Sequence, residues 1–208
     1  IYAMIAAFYR KVIIRRALNY FINKYFEKGR TLLHAGCGSG QVDVDIQSDF
    51  SIIGMDISEK ALEIYAKNCG RSFKMLRASV FEILLPDRSV DGIYNLGVME
   101  HFTPGEIQKC FAEFHRVLRD DGKLVIFWPP EFGVSVLFFK MLRGMLKLLF
   151  RKDVKFHPDE ISRVVSKADV IRLFSNSHFR IIEYCFGPRD LWTYSVIVAG
   201  KSTGTSIT

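Results

Sequence analysis

The run Leu32-Leu33-His34-Ala35-Gly36-Cys37-Gly38-Ser39-Gly40 is an apolar stretch that empties into a glycine-rich turn. Glycines recur in such a turn when a ligand must approach the backbone closely, because any side chain would block it. A helix is expected to follow, and its first N–H groups would favour a carboxylate or phosphate. A purely structural turn explains the same glycines without a ligand. Asp56 stands 16 residues after Gly40, at the predicted end of a second strand. In doubly wound folds an acid at that place accepts hydrogen bonds from the hydroxyls of a ribose. Alternatively, Asp56 caps the helix that follows, a role Ser58 can already fill. The dehydrogenase fingerprint GxGxxG needs a third glycine where this chain has Gln41, which argues against hydride transfer.

The elements that must position these residues alternate between strand-like and helix-like runs, the signature of a parallel α/β sheet. Strands are predicted at Thr31–Ala35, Ile52–Met55, Phe73–Leu76, Asp91–Asn95 and Lys123–Phe127. A helix from Ser58 to Cys69 has Ser58 as its N-cap. Pro104 suits the first turn of a helix running to Leu118, and Asp121-Gly122 reads as the turn into the fifth strand. A helix near Lys167–Ser177 and a hairpin-like pair, Arg180–Phe186 and Thr193–Ala199, close the chain, followed by a tail at 201–208 expected to be disordered.

The glycine run and Asp56, taken with Asp87-Arg88-Ser89-Val90-Asp91-Gly92-Ile93-Tyr94-Asn95 and Phe114-His115-Arg116-Val117-Leu118-Arg119-Asp120-Asp121-Gly122-Lys123-Leu124, resemble the class I S-adenosylmethionine-dependent methyltransferases. The pattern is most similar to their small-molecule branch, which includes the quinone-biosynthesis and sterol methyltransferases, and it covers about residues 30–130. The resemblance implies a Rossmann-like, doubly wound α/β fold: a seven-stranded sheet, its last strand antiparallel, with helices on both faces. It implies S-adenosylmethionine as cofactor and S-adenosylhomocysteine as product. By position, Gly36, Cys37, Gly38 and Gly40 would line the methionine end and Asp56 would hold the ribose. Ile57 would lie against the adenine, Ser79 and the Val80 N–H would face its edge, and Asn95 would face the sulfonium. The family usually carries acids where His34 and Ser79 stand. The cofactor pocket is thus expected to be two carboxylates short, which leaves open a non-catalytic, membrane-associated binding protein of the same fold.

On the substrate side, Glu100 and His101 follow the fourth strand and would lie at the mouth of the site. A base there is needed only for a weakly acidic hydroxyl or a protonated amine; otherwise the pair packs within its loop. His115 and His178 fall in predicted helical contexts and read as structural. Nucleic acid is disfavoured as acceptor, because the run after the fourth strand is Asn95-Leu96-Gly97-Val98 and Trp128-Pro129-Pro130 lies on the wrong loop.

The net charge of +7 is unevenly placed. Residues 1–30 carry +6 and residues 134–155 carry +5, leaving −4 for the other 156. This is a mildly acidic body with two basic, hydrophobic attachments. In the second, Lys140, Arg143, Lys147 and Arg151 share one helical face opposite Leu137, Phe138, Met141, Leu142 and Met145. The first repeats the theme, with Lys11, Arg15, Asn19 and Asn23 opposite Ile14, Leu18, Phe21 and Tyr25. Such stripes suit a lid over an apolar small-molecule acceptor, a lid that also touches a membrane surface, or a homodimer interface. Neither stretch offers the roughly 20 apolar residues of a membrane span, and a signal peptide fits poorly. Four cysteines without CxxC spacing predict no metal site and a reducing, cytoplasmic setting, peripheral to the membrane if the lid touches it. The length predicts one domain: 1–29 an amphipathic helix, 30–130 the cofactor core, 131–160 the lid, 161–200 a helix and hairpin, 201–208 the tail.

Overall fold

The computed structural model describes residues 9–46, 48–69, 74–131, 161–162 and 166–202. The second basic stretch, with Lys140, Arg143, Lys147 and Arg151, lies outside the described residues, as does the tail after Ser202. The strands are β1 Thr31–Ala35, β2 Ser51–Asp56, β3 Lys74–Arg77, β4 Val90–Leu96, β5 Leu118–Trp128, β6 Phe179–Cys185 and β7 Ser195–Lys201. The helices are α1 Arg15–Tyr25, α2 Glu59–Cys69, α3 Pro104–Val117 and α4 Lys167–Phe174. Among the described residues the strands form one sheet in the order β3-β2-β1-β4-β5-β7-β6. The pairs from β3 to β5 are parallel, whereas β7 runs antiparallel to both β5 and β6. The chain therefore steps outward from β1 to β3, then restarts at β4 on the other side of β1. That reversal opens a crevice at the carboxyl ends of β1 and β4, where open α/β sheets bind ligands.

Burial on both faces explains the near-continuous apolar runs of the inner strands. One face packs Leu33, Ile93, Leu124 and Ile197 against Phe111, Phe114 and Phe174 of α3 and α4. The other packs Leu32, Tyr94, Val125, Phe127, Val196 and Val198 against Leu18, Phe21 and Ile22 of α1 and Ile14 just before it. The apolar face of the first basic attachment is thus covered by the sheet, which removes it as a lipid-facing surface. Among the described residues no helix is long and apolar enough to cross a membrane.

Local signals hold where they rest on caps. Ser58 Oγ accepts from Ala61 N at 3.3 Å. At α3, Thr103 and Glu106 form a reciprocal capping box ahead of Pro104. Three expectations are corrected. The helix expected after the glycine turn is replaced by successive tight turns, with Asp43 N bonded to Gly40 O, Ile46 N to Asp43 O and Asp49 N to Ile46 O. The segment Val42-Asp43-Val44-Asp45-Ile46 is β-branched and Asp-rich, hence a poor helix former. Asp121-Gly122 lies inside β5 rather than ahead of it. There Val90 pairs with Leu118 while Gly92 pairs with Lys123, and the surplus residues bulge out. His178 is likewise not helical but sits in a turn at φ +49°, its ring 5.7 Å from that of His115.

Asp91 ties the start of β4 to its neighbours, accepting from Thr31 N at 2.8 Å, Arg30 at 3.1 Å and Arg119 at 2.7 Å. Burial alone would raise its pKa, but these donors outweigh it and hold the carboxyl below its ordinary 3.8. A lowered folded-state pKa stabilises the fold above pH 3.8, and the contribution is lost as pH falls through the folded value. Asp91→Asn is expected to cost about 1.5–3 kcal/mol in urea denaturation at pH 7. That difference should shrink below pH 3.8; a difference independent of pH would refute the ionic account.

Candidate active site

The glycine turn leaves β1 at the crevice and is pinned to the end of β2. Gly36 N and Cys37 N both donate to Met55 O, at 2.8 and 2.9 Å, and Gly38 N donates to Asp56 Oδ2 at 3.0 Å. Gly36, Gly38 and Gly40 have φ of +76°, +52° and +66°, the left-handed region that other residues enter at a cost. Space separates their roles. A Cβ on Gly36 would lie 2.5 Å from Val98 Cγ2, and one on Gly40 would lie 2.5 Å from the Tyr65 ring. A Cβ on Gly38 would meet nothing within 4 Å. The outer glycines are packed from behind, and the middle one faces open space.

The sequence-derived site residues divide into those that face this crevice and those that support it. Asp56 does more than either reading allowed. One oxygen holds Gly38 N and the other accepts from Ser58 N at 2.9 Å, so the carboxylate sets the turn and enters α2 together. Ile57 is 71% exposed beside it. Val80 is buried, and Ser79 Oγ accepts from Phe81 N at 3.2 Å in its own turn. Asn95 is fully buried and its amide donates to Ala35 O at 2.7 Å, tying β4 to β1 across the reversal.

His34 requires a correction. Its ring is 2% exposed, its Nδ1 lies 2.7 Å from Asp43 Oδ2, and it stacks on Tyr94 with ring centroids 4.4 Å apart. Tyr65 donates to the same Asp43 oxygen at 2.7 Å. A carboxylate is therefore present beneath the turn, supplied by the segment after it instead of by the strand, and it is fully buried against His34 and Tyr65. Asp43 was missed because a helix was expected to follow the glycine turn, despite the poor helix formers at 42–46. Cys37 is buried in this group, and burial, then Asp56 and Asp43, push its thiol well above the ordinary range.

At the end of β4 the chain turns at Gly97, φ +66°, into a 3₁₀ turn Met99–His101. Glu100 is buried, with Oε1 3.9 Å from His101 Nε2, whereas the His101 side chain is 32% exposed. Glu100 O accepts from Ile161 N and Ser162 N at 2.7 and 2.9 Å, and Trp128 Nε1 donates to Ser162 O at 2.7 Å. Tyr194 joins from the far hairpin: its hydroxyl lies 3.6 Å from a Cβ position on Gly97, and burial, then Glu100's charge, raises its pKa. Gly97 was legible as a glycine just past a strand. Tyr194 carried no local signal, since only the antiparallel pairing of β7 with β5 brings it here. The cavity of about 470 Å³ lined by Arg88, His115, Asp120 and Lys201 opens at the opposite edge of the sheet, away from this site. Among the described residues no group of three His, Cys, Asp or Glu is placed to hold a metal.

The match with known proteins falls on this core. A family model described as a methyltransferase domain covers residues 33–126. Those residues, somewhat under half of the chain, are similar to that family. A probable S-adenosylmethionine-dependent methyltransferase of Mycobacterium tuberculosis is 33% identical over 107 residues, 51% of this chain and 38% of that one. The probable tRNA methyltransferase 9B of Mus musculus is 25% identical over 164 residues, 78% of this chain and 32% of that one. The chain thus spans well under half the length of these two relatives. Among solved structures, the 1,6-didemethyltoxoflavin-N1-methyltransferase of Burkholderia thailandensis, with S-adenosylhomocysteine bound, superposes with a TM-score of 0.67 at 18% identity. That superposition covers 90% of this chain and 78% of the other and establishes the shared Rossmann-like fold. The matched residues carry most of β1, the glycine turn, β2, β3, β4 and the body of β5.

Packing around the turn predicts unequal tolerance. Gly40→Ala would drive a methyl into Tyr65 and is expected to cost about 2–4 kcal/mol, combining overpacking with left-handed strain. Gly38→Ala should cost about 1 kcal/mol, from backbone strain alone. Urea denaturation of both variants measures the difference, and equal losses would contradict the assignment of packed and open sides.

Proposed function

We propose that this chain is an S-adenosylmethionine-dependent methyltransferase acting on a small, apolar acceptor. The observation that carries the reading is the glycine turn itself: two glycines locked from behind, one open, and Asp56 holding the open one by its amide. A ligand lying over Gly38 meets bare backbone, with the exposed Ile57 side chain available for an adenine face and Asp56 at the position of a ribose. Gly36, Cys37, Gly38 and Gly40 would line the methionine end, Ser79 and Val80 the adenine edge, and His34 and Asn95 would act from behind by holding Asp43 and Ala35. The cofactor, when bound, supplies a methyl group on a positively charged sulfur.

The protein's own part is alignment and proton handling. His101 Nε2 would take the proton of a hydroxyl or ammonium acceptor, with the Glu100 carboxylate 3.9 Å away. Leu191 and Trp192 are exposed at left-handed φ of 55° and 54°, shortly before Tyr194, which immediately precedes β7. Large apolar side chains held in strained backbone at this rim support an apolar acceptor. Anchoring of residues 161–162 on Glu100 and Trp128 supports a role for the preceding basic stretch, including Lys140, Arg143 and Lys147, in drawing that acceptor from an anionic lipid surface.

Calorimetric titration with S-adenosylmethionine and S-adenosylhomocysteine tests the cofactor site. Micromolar binding is expected, weakened on the order of tenfold or more in Asp56→Ala; no binding by the intact chain would overturn the reading. Transfer of a radiolabelled methyl group into a lipid extract, run beside bulk RNA, tests the acceptor, and label appearing only in RNA would refute the apolar class. Co-sedimentation with anionic liposomes should be lost when Lys140, Arg143 and Lys147 are changed to Glu, and unchanged binding would remove the lipid-surface role.

A further inference from the structure

The cavity of about 470 Å³ at the amino edge of the sheet plays no part in the site described above. Its walls come from the turn before β4, the end of α3 with the start of β5, and the end of β7. Three cations line it, Arg88, Arg116 and Lys201, with the carboxylates of Asp87 and Asp120 and the His115 ring. Arg116 is already committed. It bonds Glu113 at 2.9 Å and Asp87 at 2.8 Å, and the carbonyls of Ile83 and Leu85 at 2.7 and 2.9 Å.

Arg88 and Lys201 are left with one carboxylate between them. Both approach the same oxygen, Asp120 Oδ1, at 3.4 and 3.5 Å, longer than the roughly 2.7–2.9 Å usual for such pairs. Lys201 carries the stronger signal, because its side chain is 8% exposed whereas that of Asp120 is 70% exposed. A nearly buried ammonium is costly unless its N–H donors are met, and one long contact meets one of three. The pKa of His115 is lowered by burial first and then by Lys201 and His178, with a smaller opposing pull from Asp120. The last carbonyls of α3, which would repel an anion, are covered. Arg88 N donates to Arg116 O at 2.9 Å and Ser89 N to Val117 O at 2.8 Å.

We propose that this cavity is a second ligand site, which takes a phosphate group between Arg88 and Lys201. A phosphate dianion supplies the charge that Asp120 alone does not. Its three free oxygens can accept from the guanidinium, the ammonium and the imidazole, where a carboxylate offers only two oxygens and one charge. The volume leaves room for a small phosphomonoester around that group. The site needs neither the glycine turn nor Asp56, so it stands apart from the cofactor reading.

Titration of the intact chain with inorganic phosphate at constant ionic strength, followed by the NMR signals of the His115 ring, tests the site. A dissociation constant of about 1 mM is expected, with the His115 pKa raised as phosphate binds. Arg88→Gln and Lys201→Gln should each weaken phosphate about tenfold or more. If Lys201→Gln does not fold, Arg88→Gln decides, since that side chain is exposed. Co-sedimentation with vesicles containing phosphatidic acid forms the second arm. A response to inorganic phosphate assigns a soluble ligand and a response to the vesicles alone assigns a lipid headgroup; loss in Arg88→Gln supports the site in either case. Binding that Arg88→Gln leaves unchanged overturns the proposal, as do equal displacement by chloride, phosphate binding with the His115 pKa unmoved, and silence toward both probes.

Discussion

The path from Ala35 to Gly40 passes through left-handed backbone at three of five turn residues, and almost every contact at the carboxyl edge serves to hold it there. Met55 O accepts two of its amides and Asp56 a third, so β2 must end where it does for the turn to close. Val98 stands behind Gly36 and Tyr65 behind Gly40, which brings the loop after β4 and the middle of α2 into the same constraint. Only glycine tolerates both the torsion and the crowding. Pinning the turn by backbone from one side and by side chains from behind leaves its outer surface bare, and that surface is what a ligand can use.

The sheet order turns this local device into a site. Because the chain restarts at β4 beside β1, the glycine turn and the Gly97 bend lie next to each other, with Asn95 bonded across the gap to Ala35. The antiparallel β7 then delivers Tyr194 to the same edge, since Ser195 pairs with Trp128 at the end of β5. Tyr9 adds a further tie from the chain's beginning, its hydroxyl donating to Asp190 O at 2.6 Å in the loop before β7. Residues from four distant stretches of sequence thus meet within one rim.

Charge is distributed with the same economy. The basic residues near the start of the chain are largely paired on the outside of the fold, as Arg15 with Asp45 and Lys24 with Glu183, while the apolar side of α1 covers the sheet. Such exposed pairs contribute little each. The charges with structural consequence are the buried carboxylates, Asp91 at the amino edge under two arginines and Asp43 at the carboxyl edge under an imidazole and a phenol.

Much of the core was legible from residue types in order. The strands, the Ser58 cap and the start of α3 at Pro104 follow from apolar runs and capping chemistry, which act over a few residues and so appear in any short window. The glycine turn and Asp56 were readable for the same reason, because torsion and spacing are local properties. The partner of His34 was not: nine residues on, Asp43 sits in a stretch whose helical or turn form depends on what its carboxylate can reach. Nor could sequence place Tyr194 against Gly97 or seat Asn95 on Ala35, since those contacts exist only once strand order and register are set. Local chemistry specified the turn and its acid. Tertiary structure decided which charge lies beneath them, because burial and pairing are properties of the assembled fold and not of neighbours along the chain.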